Sequence, residues 1–167
     1  MVREIFKHMK GKVFYPLCGT DVIWGECTRH DCDYIVFGDD DRKCLESVKD
    51  YIKENGVKGE CIRLDFDHLP FIKGSFQTVI YKPGAGVTIG LKKDVPILKE
   101  VIDPQILVAV KTVECKHSPQ GPITKRFVDN FSKKNGYALK ERFEPQIEED
   151  LPPMNFPPTD VLVFEKY

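Results

Sequence analysis

Residues 61–81, CIRLDFDHLPFIKGSFQTVIY, constrain this chain more than any other stretch. Cys61–Leu64 has the composition of a strand, Asp65–His68 that of an acidic turn, Leu69-Pro70-Phe71 forms a step, and Thr78–Tyr81 is a second apolar strand. Around this centre, short apolar runs alternate with amphipathic stretches, the pattern of βαβ units building a mainly parallel sheet covered on both faces.

The runs follow in order. Lys12–Tyr15 begins a strand that enters Pro16-Leu17-Cys18-Gly19-Thr20-Asp21, and a weak helix is expected from Val22 to about Arg29. Asp33–Gly38 is a continuous apolar run, as expected of a strand buried on both faces, and it ends in three aspartates. Arg42–Glu54 places Cys44, Leu45, Val48, Tyr51 and Ile52 on one helical face, and Asn55-Gly56 stops it. Beyond the loop at 82–86, Asp94 is expected to cap a helix carrying Ile97, Leu98, Val101 and Ile102, which Asp103-Pro104 ends. Ile106–Val113 is a strand and Thr124–Lys134 a helix. Tyr137–Phe143 and Asp160–Glu165 are the last strands, with an acidic, proline-rich loop and no helix between them, so they are expected to pair antiparallel.

An acid, Leu-Pro-Phe, a turn, Ser-Phe and an apolar strand stand here as Asp65, Leu69, Pro70, Phe71, Gly74, Ser75, Phe76, Val79 and Ile80. That string resembles the middle of a class I S-adenosylmethionine-dependent methyltransferase, although Gln77 occupies a position where the family usually has Asp. The resemblance extends from about Val13 to the C-terminus. It implies one domain over residues 1–167: an α/β, three-layer Rossmann-like methyltransferase fold, with a mostly parallel seven-stranded sheet and an antiparallel C-terminal strand pair. It also implies S-adenosylmethionine as cofactor.

In an open α/β sheet the ligand lies beyond the carboxyl ends of the strands, at the switch in strand order. Val36-Phe37-Gly38-Asp39-Asp40 is similar to the family's apolar residue, glycine, any residue, acid, which makes Asp40 the ribose-binding acid and Asp39 its nearest competitor. The plainer alternative is that Asp39–Asp41 favour the start of the next helix through its dipole. The resemblance makes Asp65 the partner of the adenine amino group and gives the Phe66 amide to a ring nitrogen. The family's first loop, acid-x-G-x-G-x-G, is matched by Tyr15 to Asp21, with only Gly19 kept. Cys18, Gly19, Thr20 and Asp21 are the candidates there. Asp21 is set to repel a cofactor carboxylate or to pair with its amine. After the fourth strand the family's amine-holding N/D-P-P-Y/F is replaced by Tyr81-Lys82-Pro83-Gly84-Ala85-Gly86, from which Lys82 is carried as a binding candidate. His117 is a rim candidate, and no general base or nucleophile is assigned.

Two functional classes follow: a methyltransferase acting on an unidentified acceptor, or a catalytically silent domain that binds an adenosine ligand or a protein partner. A nicotinamide dehydrogenase would want the fuller glycine loop. A formal charge of −1 argues against a dedicated nucleic-acid binder while leaving room for a local basic patch. The charged N-terminus has no apolar signal region, and ILVAV (106–110) is too short to span a bilayer, so a cytoplasmic location and no membrane partner are expected. There the six cysteines should be reduced. Cys27, His30 and Cys32, with Cys18, lack C-x2-C spacing and a second pair, so no metal is expected. A lid over the acceptor would come from loops, a second copy in a homo-oligomer, or another subunit.

Overall fold

The structure is a computed structural model that describes residues 2–82, 87–112, 123–143 and 158–167. The glycine loop after residue 82, Cys115, His117 and the acidic, proline-rich loop lie outside the described residues.

The chain forms β1 (Gly11–Pro16), β2 (Cys32–Asp39), β3 (Gly59–Arg63), β4 (Thr78–Tyr81), β5 (Ile106–Thr112), β6 (Tyr137–Phe143) and β7 (Pro158–Lys166). The helices are α1 (Val2–Phe6), α2 (Arg42–Asn55), α3 (Val87–Val101) and α4 (Lys125–Asn135), with 3-10 turns at Ile23–Arg29 and Phe66–His68. One seven-stranded sheet has the order β3-β2-β1-β4-β5-β7-β6. Strands β1 to β5 run parallel, and β7 is antiparallel to both β5 and β6.

Successive side chains on a strand point to opposite faces, and that alternation builds two cores. Val13, Tyr15, Ile35, Phe37, Ile80, Val108 and Val163 face one side, against α1, the first 3-10 turn and α2. Phe14, Val36, Val79, Tyr81, Leu107 and Phe164 face the other, against α3 and α4. Most of the 61–81 stretch, including Leu64, Leu69, Phe71, Phe76 and Val79, packs into the second core, while Cys61 and Ile80 face the first. Phe71 meets Phe14 and Phe76 edge-on at 5.0 and 4.9 Å, while Phe76 stacks on Phe14 at 5.2 Å. Gln77, the departure from Asp, accepts the Lys12 N–H at 2.7 Å and so fastens the start of β1.

Helix ends follow local chemistry. Asp41 accepts the Lys43 N–H at 2.8 Å to cap α2, and Gly56 closes that helix at φ 62°. Thr124 and Gly136 do the same for α4.

One expectation is corrected. Asp94 does not cap α3, which starts at Val87 and carries both Asp94 and Pro96 in its interior. The packing of Leu91, Val95 and Leu98 into the second core, with Asp94 accepting from the Tyr81 hydroxyl, overrides the local start signal at Asp94. The charged N-terminus forms α1, anchored by Ile5 and Phe6, which are fully buried in the first core together with Met9 just after the helix.

Candidate functional site

In the sheet order the chain steps outward from β1 to β3 and then returns to place β4 on the other side of β1. The segments leaving β1 and β4 therefore diverge and open a crevice at the carboxyl end of the sheet. Residues 17–21, 39–41, 64–66 and 82 gather around it.

The turn after β1 is held by backbone bonds. The Cys18 N–H donates to the Gly38 carbonyl (3.1 Å) and the Asp21 N–H to the Cys18 carbonyl (3.1 Å). Leu17 and Gly19 both sit in the left-handed region, at φ 54° and 56°. Leu17 is the costly one, because its Cβ crowds the following carbonyl there. A Cβ added at Gly19 would meet nothing within 4 Å, so the space over that residue is open.

The two neighbouring acids have different surroundings. Asp39 is buried, and its carboxylate accepts the Gly19 N–H at 2.7 Å and the Asp41 N–H at 3.0 Å, tying the first turn to the start of α2. Asp40 is exposed, and among the described residues its carboxylate has no hydrogen-bond or ion-pair partner. Its backbone carbonyl accepts from Arg63 Nε at 3.1 Å.

Asp65 is exposed and caps the second 3-10 turn, accepting the Asp67 N–H at 3.0 Å, with its other oxygen 2.8 Å from His68 Nδ1. That bond lowers the Asp65 pKa and raises that of His68. Phe66 is half-buried and lies 6.4 Å from Tyr81, ring to ring.

Across the crevice, Lys82 Nζ lies 2.5 Å from Asp21 Oδ2, with side chains 14% and 7% exposed. The same oxygen accepts from the Tyr15 hydroxyl at 3.2 Å, while Asp21 Oδ1 and Trp24 Nε1 are buried without a hydrogen-bond partner among the described residues. Burial, and then the Asp21 charge, push the Tyr15 hydroxyl pKa well up. Burial, and then Asp39, push up that of the Cys18 thiol, so Cys18 is no thiolate nucleophile at neutral pH. Among the described residues, no group of three or more His, Cys, Asp or Glu is placed to hold a metal ion.

No family model matches this sequence, and no curated protein does. Solved structures do. Magnesium protoporphyrin IX methyltransferase from Synechocystis, with S-adenosylmethionine bound, matches with a TM-score of 0.66 at 12% identity over 99% of this chain and 74% of its own. The methyltransferase domain of a bacterial Hen1 matches at 0.67 and 13% identity, over 98% and 95% of the two chains. A methyltransferase of Methanosarcina mazei, described as dependent on S-adenosylmethionine, matches at 0.64 and 12%, over 99% and 96%. The fold is that of the class I methyltransferases.

Within this methyltransferase fold the structure brings Cys18, Gly19, Thr20, Asp21, Asp39, Asp40, Asp65, Phe66 and Lys82 to one end of the sheet. Sequence reasoning left out Tyr15 and Trp24. Tyr15 stands where the methyltransferase pattern has an acid, and the hydroxyl of its longer side chain meets a carboxylate displaced along the loop to Asp21. The paired changes at 15 and 21 were the available signal.

Proposed function

We propose that this protein is an S-adenosylmethionine-dependent methyltransferase whose acceptor is unidentified. The observation that carries the reading is the exposed carboxylate of Asp40 just after β2, without a partner among the described residues, beside a turn whose shape Asp39 maintains from below. A carboxylate there is suited to the two vicinal hydroxyls of a ribose. The open space over Gly19 and the free acceptor suit the adenosine half of the cofactor. Asp65 and the Phe66 amide would take the adenine edge, and Cys18, Gly19 and Thr20 would line the methionine half. Asp21 and Lys82, one anion and one cation side by side, are complementary to an α-ammonium and an α-carboxylate. When bound, the cofactor supplies an electrophilic sulfonium methyl; the chain's part is to orient it and to keep water from it, since methyl transfer to a good nucleophile depends chiefly on in-line positioning. The reading carries with it a cytoplasmic location, where Cys18, Cys27 and Cys32 stay thiols. It leaves the acceptor lid to loops or to a second copy.

The second reading is a silent domain, favoured by a leucine at position 17, where the resembling pattern has glycine, and by the closed Asp21–Lys82 pair. Calorimetric titration with S-adenosylmethionine, adenosine and NAD separates the readings. Saturable binding of S-adenosylmethionine without NAD binding is expected. Binding of adenosine alone would favour the silent domain, and binding of NAD alone would replace both readings with a nicotinamide site.

A further inference from the structure

Away from the crevice, α3 and α4 enclose a groove of about 350 Å³. Its cations are Lys92 from α3 and Arg126 and Lys134 from α4, and its lining contains no acidic side chain. Among the described residues none of the three cations has an ion-pair partner. The acid of α4 is kept off this face: Asp129 pairs with Lys125 at 2.7 Å, whereas Arg126, Asn130 and Lys134 recur every four residues along the groove. The floor is aromatic. Phe127, half-buried, stacks on Phe131 at 6.1 Å and 21°, and Lys92 Nζ lies 5.8 Å from its centroid.

The groove also has a direction. Its Thr124 end adjoins Ile123, whose carbonyl accepts from Arg142; Arg142 pairs with Asp160, which stands opposite Lys111 near the carboxyl end of β5. Its Asn135 end lies beside Tyr137, whose hydroxyl donates to the Pro104 carbonyl just before β5 begins. The groove thus runs along α4, roughly 16 Å for its eleven residues, from the crevice end of the sheet to the opposite end.

We propose that this groove binds single-stranded nucleic acid, with backbone phosphates on Lys92, Arg126 and Lys134 and a base against Phe127. Unpaired cations along a track with an aromatic platform are the two elements that sequence-tolerant single-strand binding needs. An acidic peptide would satisfy the cations and leave the Phe127 ring and the Asn130 amide unused. The formal charge of −1 does not oppose this, because phosphate attraction is set by the local cations within a Debye length. Joined to the methyltransferase reading, on which this last step rests, the groove makes a nucleic acid the acceptor class.

The test is fluorescence anisotropy of a labelled ten-nucleotide oligouridylate, without methyl donor, so that its failure stays separate from failure of the methyltransferase reading. Three phosphate contacts predict a log–log salt slope of about −2, falling to about −0.7 in Arg126→Ala/Lys134→Ala. That variant should bind at least ten-fold more weakly. Lys49→Ala/Lys53→Ala on α2, losing the same charge elsewhere, should bind as the parent does. Phe127→Leu, which keeps apolar packing, should weaken binding about five-fold or more through lost stacking. No saturable binding, equal loss in the α2 control, or equal competition by a duplex or by polyglutamate would each overturn the proposal; the last would point to an acidic protein.

Discussion

Asp39 and Asp40 are adjacent and chemically identical, yet the backbone gives them opposite tasks. Asp39 points inward and holds two N–H groups, whereas Asp40 points out and holds none. Asp39→Ala should therefore lower the melting temperature, at about 1–3 kcal/mol for a donor left buried and unsatisfied. Asp40→Ala should melt as the parent does and lose about 1.5–3 kcal/mol of S-adenosylmethionine affinity by calorimetry, as for a hydrogen bond to a charged group. Unchanged affinity in Asp40→Ala would remove the ribose assignment. The Asp65–His68 pair gives a pH signature. His68, raised above its ordinary 6.5, contributes stability that is complete below that value and is lost as pH climbs through the raised one. Asp65, lowered below 3.8, contributes stability that is present above that value and is lost as pH falls through the lowered one. The pair is thus strongest between those limits. In an NMR titration His68 should titrate above 6.5 and return towards it in Asp65→Asn.

At the scale of an element, the turn after β1 keeps a glycine-like path without the glycine. Leu17 occupies a left-handed conformation that costs a non-glycine residue about 1–2 kcal/mol, and at 39% exposure its side chain recovers only part of this by burial. Leu17→Gly should leave stability unchanged or raise it by up to about 1 kcal/mol, because the relief exceeds glycine's entropic penalty of about 0.5–1. Leu17→Val, β-branched at the same φ, should lower the urea midpoint. If both variants fall equally, the side chain rather than the backbone is what holds the turn.

Across the whole molecule, the switch between β1 and β4 is bridged by the buried Asp21–Lys82 pair, which joins residues 61 positions apart in the chain. Removing one partner leaves a buried charge, so Lys82→Met should cost about 3–5 kcal/mol in chemical denaturation. Asp21→Asn/Lys82→Met should recover most of that loss, since replacing both charges removes the desolvation penalty with the attraction. A double variant as unstable as the single one would show that Lys82 acts through its other contacts. The pair also revises what Asp21 does in the crevice. Its charge is offset by Lys82, so simple repulsion of a cofactor carboxylate is not the expected effect of this residue.

By itself the sequence determined the architecture: apolar runs alternating with amphipathic stretches announced a mainly parallel sheet covered on both faces, and the proline-rich composition between the last two strands announced their reversal. Thr78–Tyr81 and Tyr137–Phe143 fall where the residues alone place them. Caps and glycine stops are local chemistry, and Gly56 was legible for that reason. The start of α3 was not, because a part-buried Tyr81–Asp94 contact and a shared apolar face outweigh the start signal read at Asp94. The tasks of Asp39, Asp21 and Lys82 also belong to the tertiary structure. Each depends on a partner across the sheet or far along the chain, and no local pattern reports which of two adjacent carboxylates turns towards a backbone N–H.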